Sequence, residues 1–274
     1  NNEIFNLPYS IKIFDNKIEK RIHSKINIES LRLKIDNQTS YAEKNYLGLS
    51  EINLINTKSL LEYQFKNDLF EFKFFDKLQN PEFSYVGKFN FKPFYSNITG
   101  NTNKLDLSPL FSSNAIIKEL LKTEILSNKN IDFNLIVTGN SIKEFDDFKN
   151  VLLKSKIQEG LIDTDKTKFE WRDIADFELL ESLIFVRNGE LVLDGKLKIN
   201  IKDYNELYKF LLTPKNYRNE INEVDFNFTY NFDQRIAELK DIKIDNKINH
   251  SVNKILNNVV FKKEDLQNKI YFKN

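Results

Sequence analysis

Side chains suited to chemistry are few in this chain, and their spacing does not serve it. There is no Cys, which removes disulfides, thiolate metal sites and thiol nucleophiles. The two histidines are His23 and His250. Neither has a His or carboxylate partner four residues away on a helix, the spacing that puts two metal ligands on one face. Both read as structural or surface residues. Carboxylates are abundant, and Glu144, Asp146 and Asp147 cluster just ahead of a strand. Two facing carboxylates would suit glycoside hydrolysis, but acids crowded into one connection read first as a solvated turn. No Gly-rich phosphate loop, Gly-x-Ser-x-Gly motif or nucleophile–base arrangement occurs. The Asn-x-Thr triplets at Asn37, Asn97 and Asn227 are expected by chance in so Asn-rich a sequence. The expectation is a protein with no catalytic residues, no metal ligands and no cofactor.

What remains is pattern. The 274 residues are long enough for a large core or two smaller units, and 41% hydrophobic content makes this a folding chain. With 41 basic and 40 acidic residues the net charge is +1, and no basic cluster stands out. Nucleic acid is therefore not an expected partner. No apolar run reaches the roughly 18 residues of a membrane-spanning helix. No signal-peptide pattern is present, and Met is absent throughout. The chain is expected to be a piece of a longer or processed protein, with any export or anchoring segment upstream of Asn1.

Strict alternation dominates. Strands are expected at Ile11–Phe14, over Ile22–Ile35 with a β-bulge at Glu29-Ser30, and at Tyr46–Ile55, Leu60–Phe65, Leu69–Phe74 and Phe83–Phe91. Tyr95–Ser108 reads as irregular. Strands resume at Ile131, then at Phe148–Ile157, Lys168–Ile174, Phe177–Arg187, Glu190–Lys202, Val224–Phe232 and Ile236–Ile244. Asn188-Gly189 is the strongest hairpin signal, because both residues tolerate positive φ. Helices are expected near 114–126, 203–213 and 251–258. In the second, Asp203 and Glu206 form a capping box, Pro214 is the stop, and Tyr204, Leu207, Tyr208, Leu211 and Leu212 make a buried stripe.

The fold class expected is mainly β with a few helices: long antiparallel twisted sheets forming an open β-groove, or, alternatively, a closed β-sandwich. Residues 1–110 form a first sheet segment, and 111–274 a helix-led second one. Leu191, Leu193 and Leu197 share one face of their strand, and Phe226, Phe228 and Tyr230 share one face of theirs. These side chains are the candidates for an apolar trough. An acyl chain needs such a surface and no specific donors along it, each buried methylene contributing about 0.8 kcal/mol.

The stretches Asn188-Gly-Glu-Leu-Val-Leu-Asp-Gly-Lys196, Lys202-Asp-Tyr-Asn-Glu-Leu-Tyr-Lys-Phe210 and Lys215-Asn-Tyr-Arg218, with Ile242-Lys-Ile-Asp-Asn246, resemble the AsmA-like proteins of Gram-negative bacteria. Gly87-Lys-Phe-Asn-Phe-Lys-Pro-Phe94 and Lys104-Leu-Asp-Leu-Ser108 look like the other half of that pattern. The resemblance covers most of the chain through strand and loop habits and carries no catalytic signature. It implies a non-enzymatic periplasmic protein, held at the inner membrane through a segment outside this chain. That protein would assist phospholipid transport or outer-membrane assembly, its partners being phospholipid or another acyl-chain lipid and envelope proteins. A structural or interaction β-sandwich module is the competing reading, and a glycan-active enzyme the third.

Overall fold

A computed structural model describes residues 2–4, 7–55, 57–77, 82–108, 118, 121–122, 128, 130–248, 250–256 and 261–262. The chain is mainly β with a few short helices. It forms two compact units, Asn1–Asn103 and Lys104–Asn274.

Unit 1 is an antiparallel meander. Its strands are β1 (Asn2–Ile4), β2 (Leu7–Asn16), β3 (Arg21–Ile28), β4 (Leu33–Ala42), β5 (Asn45–Leu54), β6 (Thr57–Lys66), β7 (Leu69–Asp76), β8 (Phe83–Phe91) and β9 (Phe94–Leu105). Each pairs with the next in sequence, and from β2 to β9 no register shift interrupts the ladders. Tight turns make this possible. Glu43 and Asn67 adopt positive φ where β4 meets β5 and β6 meets β7, and the flanking residues Ala42 and Asn45, and Lys66 and Leu69, face each other.

Two expectations fail here. The stretch Ile22–Ile35 is not one bulged strand. Glu29–Leu31 form a 3-10 turn, Arg32 takes φ 50°, and the chain reverses into β4. The slip of apolar phase at Glu29-Ser30 marks a hairpin, and a sequence slip alone does not separate the two cases. Nor is Tyr95–Ser108 irregular, since it is mostly β9. Of its face-sharing residues Ser96, Ile98, Gly100 and Thr102 only Ile98 is large, and the Tyr85 ring of β8 overlies Gly100, so the alternation lacked the large apolar residues that would reveal it.

Unit 2 contains β10 (Asp132–Ile142), β11 (Phe145–Gln158), the short β12 (Leu161–Asp163) and β13 (Lys168–Trp171), then β14 (Ala175–Arg187) and β15 (Glu190–Ile201). Helix α1 (Tyr204–Phe210) and a 3-10 turn (Lys215–Tyr217) lead to β16 (Glu223–Asn231) and β17 (Ile236–Ile244), followed by β18 (Lys247–Ile248), helix α2 (His250–Leu256) and β19 (Phe261–Lys262). All described pairings are antiparallel. β12 and β13 both bridge β11 to β14, and β18 and β19 both pair with β17. Asn188 and Gly189 have φ 52° and 80° and close Arg187 onto Glu190, the two-residue hairpin expected.

The helix expected near 114–126 lies outside the described residues, apart from Lys118, Leu121 and Lys122. Helix α1 begins as predicted, with the Asp203 carboxylate accepting the Glu206 N–H. It is shorter than predicted, and its stripe is shorter still. Tyr208 is buried, but Leu211 is the C-cap and Leu212 takes φ 56°. That left-handed turn points Leu212 away from the sheet, so both leucines are exposed.

The outer edge of β17 is closed by three devices. β19 pairs at Ile236 and Ala237, and β18 pairs at Lys243 and Ile244. Between them the Asn253 side chain of α2 accepts the Ile242 N–H at 2.7 Å and donates to its carbonyl at 3.0 Å. Unpaired strand edges invite pairing with other chains, and this one offers little of its length.

Candidate functional site

In unit 2 the fold brings the predicted apolar residues onto one face. Leu193 lies opposite Tyr230, Leu197 opposite Phe226, and Phe228 opposite Gly195. Their environments differ. Leu191 is fully enclosed (0% exposed) in a cluster with Ile157, Ile162, Ile184 and Phe232, against which Leu121, Ile131 and Phe133 also pack. Leu193, Leu197, Phe226, Phe228 and Tyr230 are half-buried. Burial pushes the Tyr230 phenol above its ordinary pKa, with Arg235 opposing.

The sealed end is fastened by charge. Asp233 follows β16, and its Oδ2 accepts the Leu191 N–H at 2.7 Å. Its Oδ1 accepts Lys118 Nζ at 3.2 Å and Lys122 Nζ at 3.0 Å. The Lys118 side chain is 2% exposed. Burial pushes the Asp233 carboxyl up, but the Leu191 N–H and the Lys122 and Lys118 ammonium groups outweigh it and hold the pKa below 3.8.

Unit 1 carries a larger apolar face that the trough candidates did not include. Because its ladders run without a shift, residues directly opposite stay on one side from strand to strand. One cross-strand row is Tyr41, Tyr46, Phe65, Phe70 and Phe89. The next is Thr39, Gly48, Tyr63, Phe72, Gly87 and Ile98, and the third is Asn37, Ser50, Leu61, Phe74, Tyr85 and Gly100. Rings meet diagonally between the rows, as in Tyr63–Phe70 with centroids at 5.5 Å and Phe74 with Phe83 of β8 at 5.1 Å.

No hydrophobic side chain of unit 1 is buried among the described residues. The buried side chains are small or polar: Thr39, Ser50, Ser59, Asp76 and Ser96. Small groups at the base of a crowded face are hidden by larger neighbours, while the tops of those neighbours stay half-exposed. Within the unit, among the described residues, each strand packs on its sheet neighbours.

Three glycines shape the face. A Cβ on Gly48 would fall 2.0 Å from Tyr63 Cζ, one on Gly100 2.2 Å from Tyr85 Cδ1, and one on Gly87 2.8 Å from Phe72 Cε1. Each ring lies down over the neighbouring strand. Covering by the sheet raises the Tyr85 phenol pKa. The Tyr63 hydroxyl is also tied in, with Thr39 Oγ1 at 2.7 Å and Asn37 Oδ1 at 2.9 Å. Asn37 also accepts from Ser50 Oγ at 2.7 Å and donates to Ser24 Oγ at 3.2 Å. The polar side chains of this cluster thus satisfy one another, while the buried Ser96 hydroxyl on the same face has no partner among the described residues. The opposite face is wet, and two open depressions lie over it, among Gln38, Glu62 and Gln64 and among Lys25, Glu51 and Lys77.

The remaining polar candidates find ordinary partners. His23 Nε2 lies 2.6 Å from Asp36 Oδ1 on the wet face of unit 1, and Lys25 shares that carboxylate. His250 starts helix α2. Asp146 pairs with Lys104 at 2.8 Å and Asp147 with Arg172 at 3.0 Å, while Glu144 occupies the β10–β11 turn. Among the described residues no group of His, Cys, Asp and Glu is placed to hold a metal, and no helix is long and apolar enough to cross a membrane. No family model, curated protein or solved structure matches the chain.

Proposed function

We propose that this protein is a non-enzymatic lipid-handling protein that holds acyl chains against the apolar faces of its sheets. One observation carries the reading. From β2 to β9 the apolar face of unit 1 is continuous, and its large side chains are half-exposed with no second layer of the unit upon them. Monomeric proteins rarely leave wide apolar surface uncovered without a partner for it. Acyl chains suit this surface because they need contact area and no donors, and the polar cluster around Asn37 within it is already paired with itself. The half-buried part of unit 2, at Leu197, Phe226 and Phe228, offers the same chemistry on a smaller scale. The resemblance to AsmA-like proteins adds an envelope setting, with phospholipid as cargo, to the proposal.

A structural or interaction module is the second reading. The sealed cluster around Leu191 and Phe232 favours it for one end of unit 2.

The test is a photo-crosslinking residue at Phe72 and, separately, at Phe228, with lipid extraction and mass spectrometry of the purified protein. Lipid adducts at either position, and co-purifying acyl lipid, are the expected result. A folded protein with no adduct at either position and no extractable lipid would overturn the reading.

A further inference from the structure

We propose that the connector between β15 and β16 in unit 2 docks on the surface of an anionic phospholipid bilayer, through Leu211, Leu212 and Tyr217 with Lys209 and Lys215 beside them. This inference stands apart from the acyl-face reading and rests on different residues.

The connector starts as an amphipathic helix and ends as an exposed apolar tip. Phe210 is 41% exposed, Leu211 43%, Leu212 66% and Tyr217 68%. The exposure is built into a held structure. Tyr208 is buried, Phe210 meets the Trp171 ring edge-on at 4.8 Å, and the Arg172 guanidinium sits 4.9 Å from the Phe210 ring centre. The Thr213 N–H donates to the Tyr208 carbonyl at 2.9 Å, and Arg218 Nε donates to the Thr213 carbonyl at 2.9 Å. Leu212 stands at φ 56°, a backbone conformation that glycine or asparagine would occupy with less strain. A leucine at this turn puts an aliphatic side chain into water on a rigid support.

Charge selects the partner. Residues 209–218 contain Lys209, Lys215 and Arg218 and no carboxylate. Lys209 pairs only with the exposed Glu206, one helical turn back, and such a pair holds its charge weakly. Apolar and aromatic side chains flanked by cations match the boundary of an anionic bilayer. There leucines enter the acyl edge, tyrosine sits at the headgroup level and lysines meet phosphate.

The test is co-sedimentation of the full chain with vesicles of phosphatidylcholine alone and of phosphatidylcholine with phosphatidylglycerol. Trp171 is the single tryptophan, so its emission reports on this site. Wild type should bind the anionic vesicles, release with added salt, and change its Trp171 emission on binding. Leu211→Ser with Leu212→Ser should lower the anionic-vesicle partition coefficient by about tenfold, given the apolar area withdrawn. Lys209→Glu with Lys215→Glu should do the same while leaving the apolar residues in place. Tyr217→Ser lies outside helix α1 and serves as the second variant if the leucine pair alters the circular dichroism. Absence of wild-type binding, equal binding to neutral and anionic vesicles, or undiminished binding by the folded variants would each overturn the proposal. The last result would place membrane contact on another surface, and the first would leave a protein as the partner of this tip.

Discussion

Asp233 gathers a backbone N–H and two lysines, and it does so across the sequence: Lys118 is 115 residues away. Asp233→Asn would leave Lys118 buried without its counter-charge, a change that costs about 3–5 kcal/mol when a buried pair is broken. Urea unfolding at neutral pH should show that loss. The sign with pH follows from the depressed carboxyl pKa. A fold that prefers the ionised form is stabilised by it above 3.8, and loses that stability as pH falls through the lower folded value. Wild type and Asp233→Asn should therefore converge in stability as the pH falls below 3.8. Gly189→Val tests a different cause. A side chain there meets nothing within 4 Å, so the whole cost is backbone strain at φ 80°, about 1–3 kcal/mol. An unchanged thermal midpoint would count against the type I′ geometry. The turn was legible in the sequence because Asn-Gly carries its preference locally. The Asp233 clasp was not, because nothing in the spacing of one acid and two lysines relates them.

At the scale of elements, the strands of unit 1 show how backbone register and side-chain size act together. Gly100→Ala would force the Tyr85 ring off β9, and overpacking of this kind costs about 1–3 kcal/mol. Tyr85→Ala should remove the conflict, so the double variant should be less destabilised than the sum of the two single changes in chemical denaturation. Additive losses would mean the ring has room to move. Alternation revealed the face of β8 directly, because Phe83, Tyr85, Phe89 and Phe91 mark every second position but that of Gly87. It failed for β9, where Ser96, Gly100 and Thr102 are small, Gly100 leaving room for the Tyr85 ring. It misjudged the end of helix α1 for the opposite reason. Leu211 and Leu212 continue an apolar stripe in sequence, but the helix has already ended and the left-handed turn at Leu212 carries them outward. The candidate face was partly legible: the unit 2 side chains assemble on one side, whereas the wider face of unit 1 depends on an unbroken register through many turns, which no single strand displays.

At the scale of the whole molecule, each unit keeps a distinct balance of covered and uncovered apolar surface. A charge separates the two balances. Phe228→Glu and Phe72→Glu each place a carboxylate on a half-exposed face, where water still reaches it. Both proteins should stay folded by circular dichroism and co-purify with less extractable acyl lipid. Unfolding of both would mean the faces are sealed cores. Hydrogen exchange should grade across unit 1, fastest in β2, which carries the exposed Ile13 and Phe14, and slowest in β5 to β7. Uniform protection would contradict a single layer held by neighbours. The meander has one last consequence. Every strand from β3 to β9 takes its register from the strand before it, and among the described residues of unit 1 no contact fixes the total width of the meander. A hairpin inserted at a turn, or removed, would leave every other ladder and the side to which its side chains point unchanged, much as in repeat proteins. Over evolutionary time such a sheet is free to grow or shrink two strands at a time, and the reach of its surface becomes a quantity that selection can set without redesigning the fold.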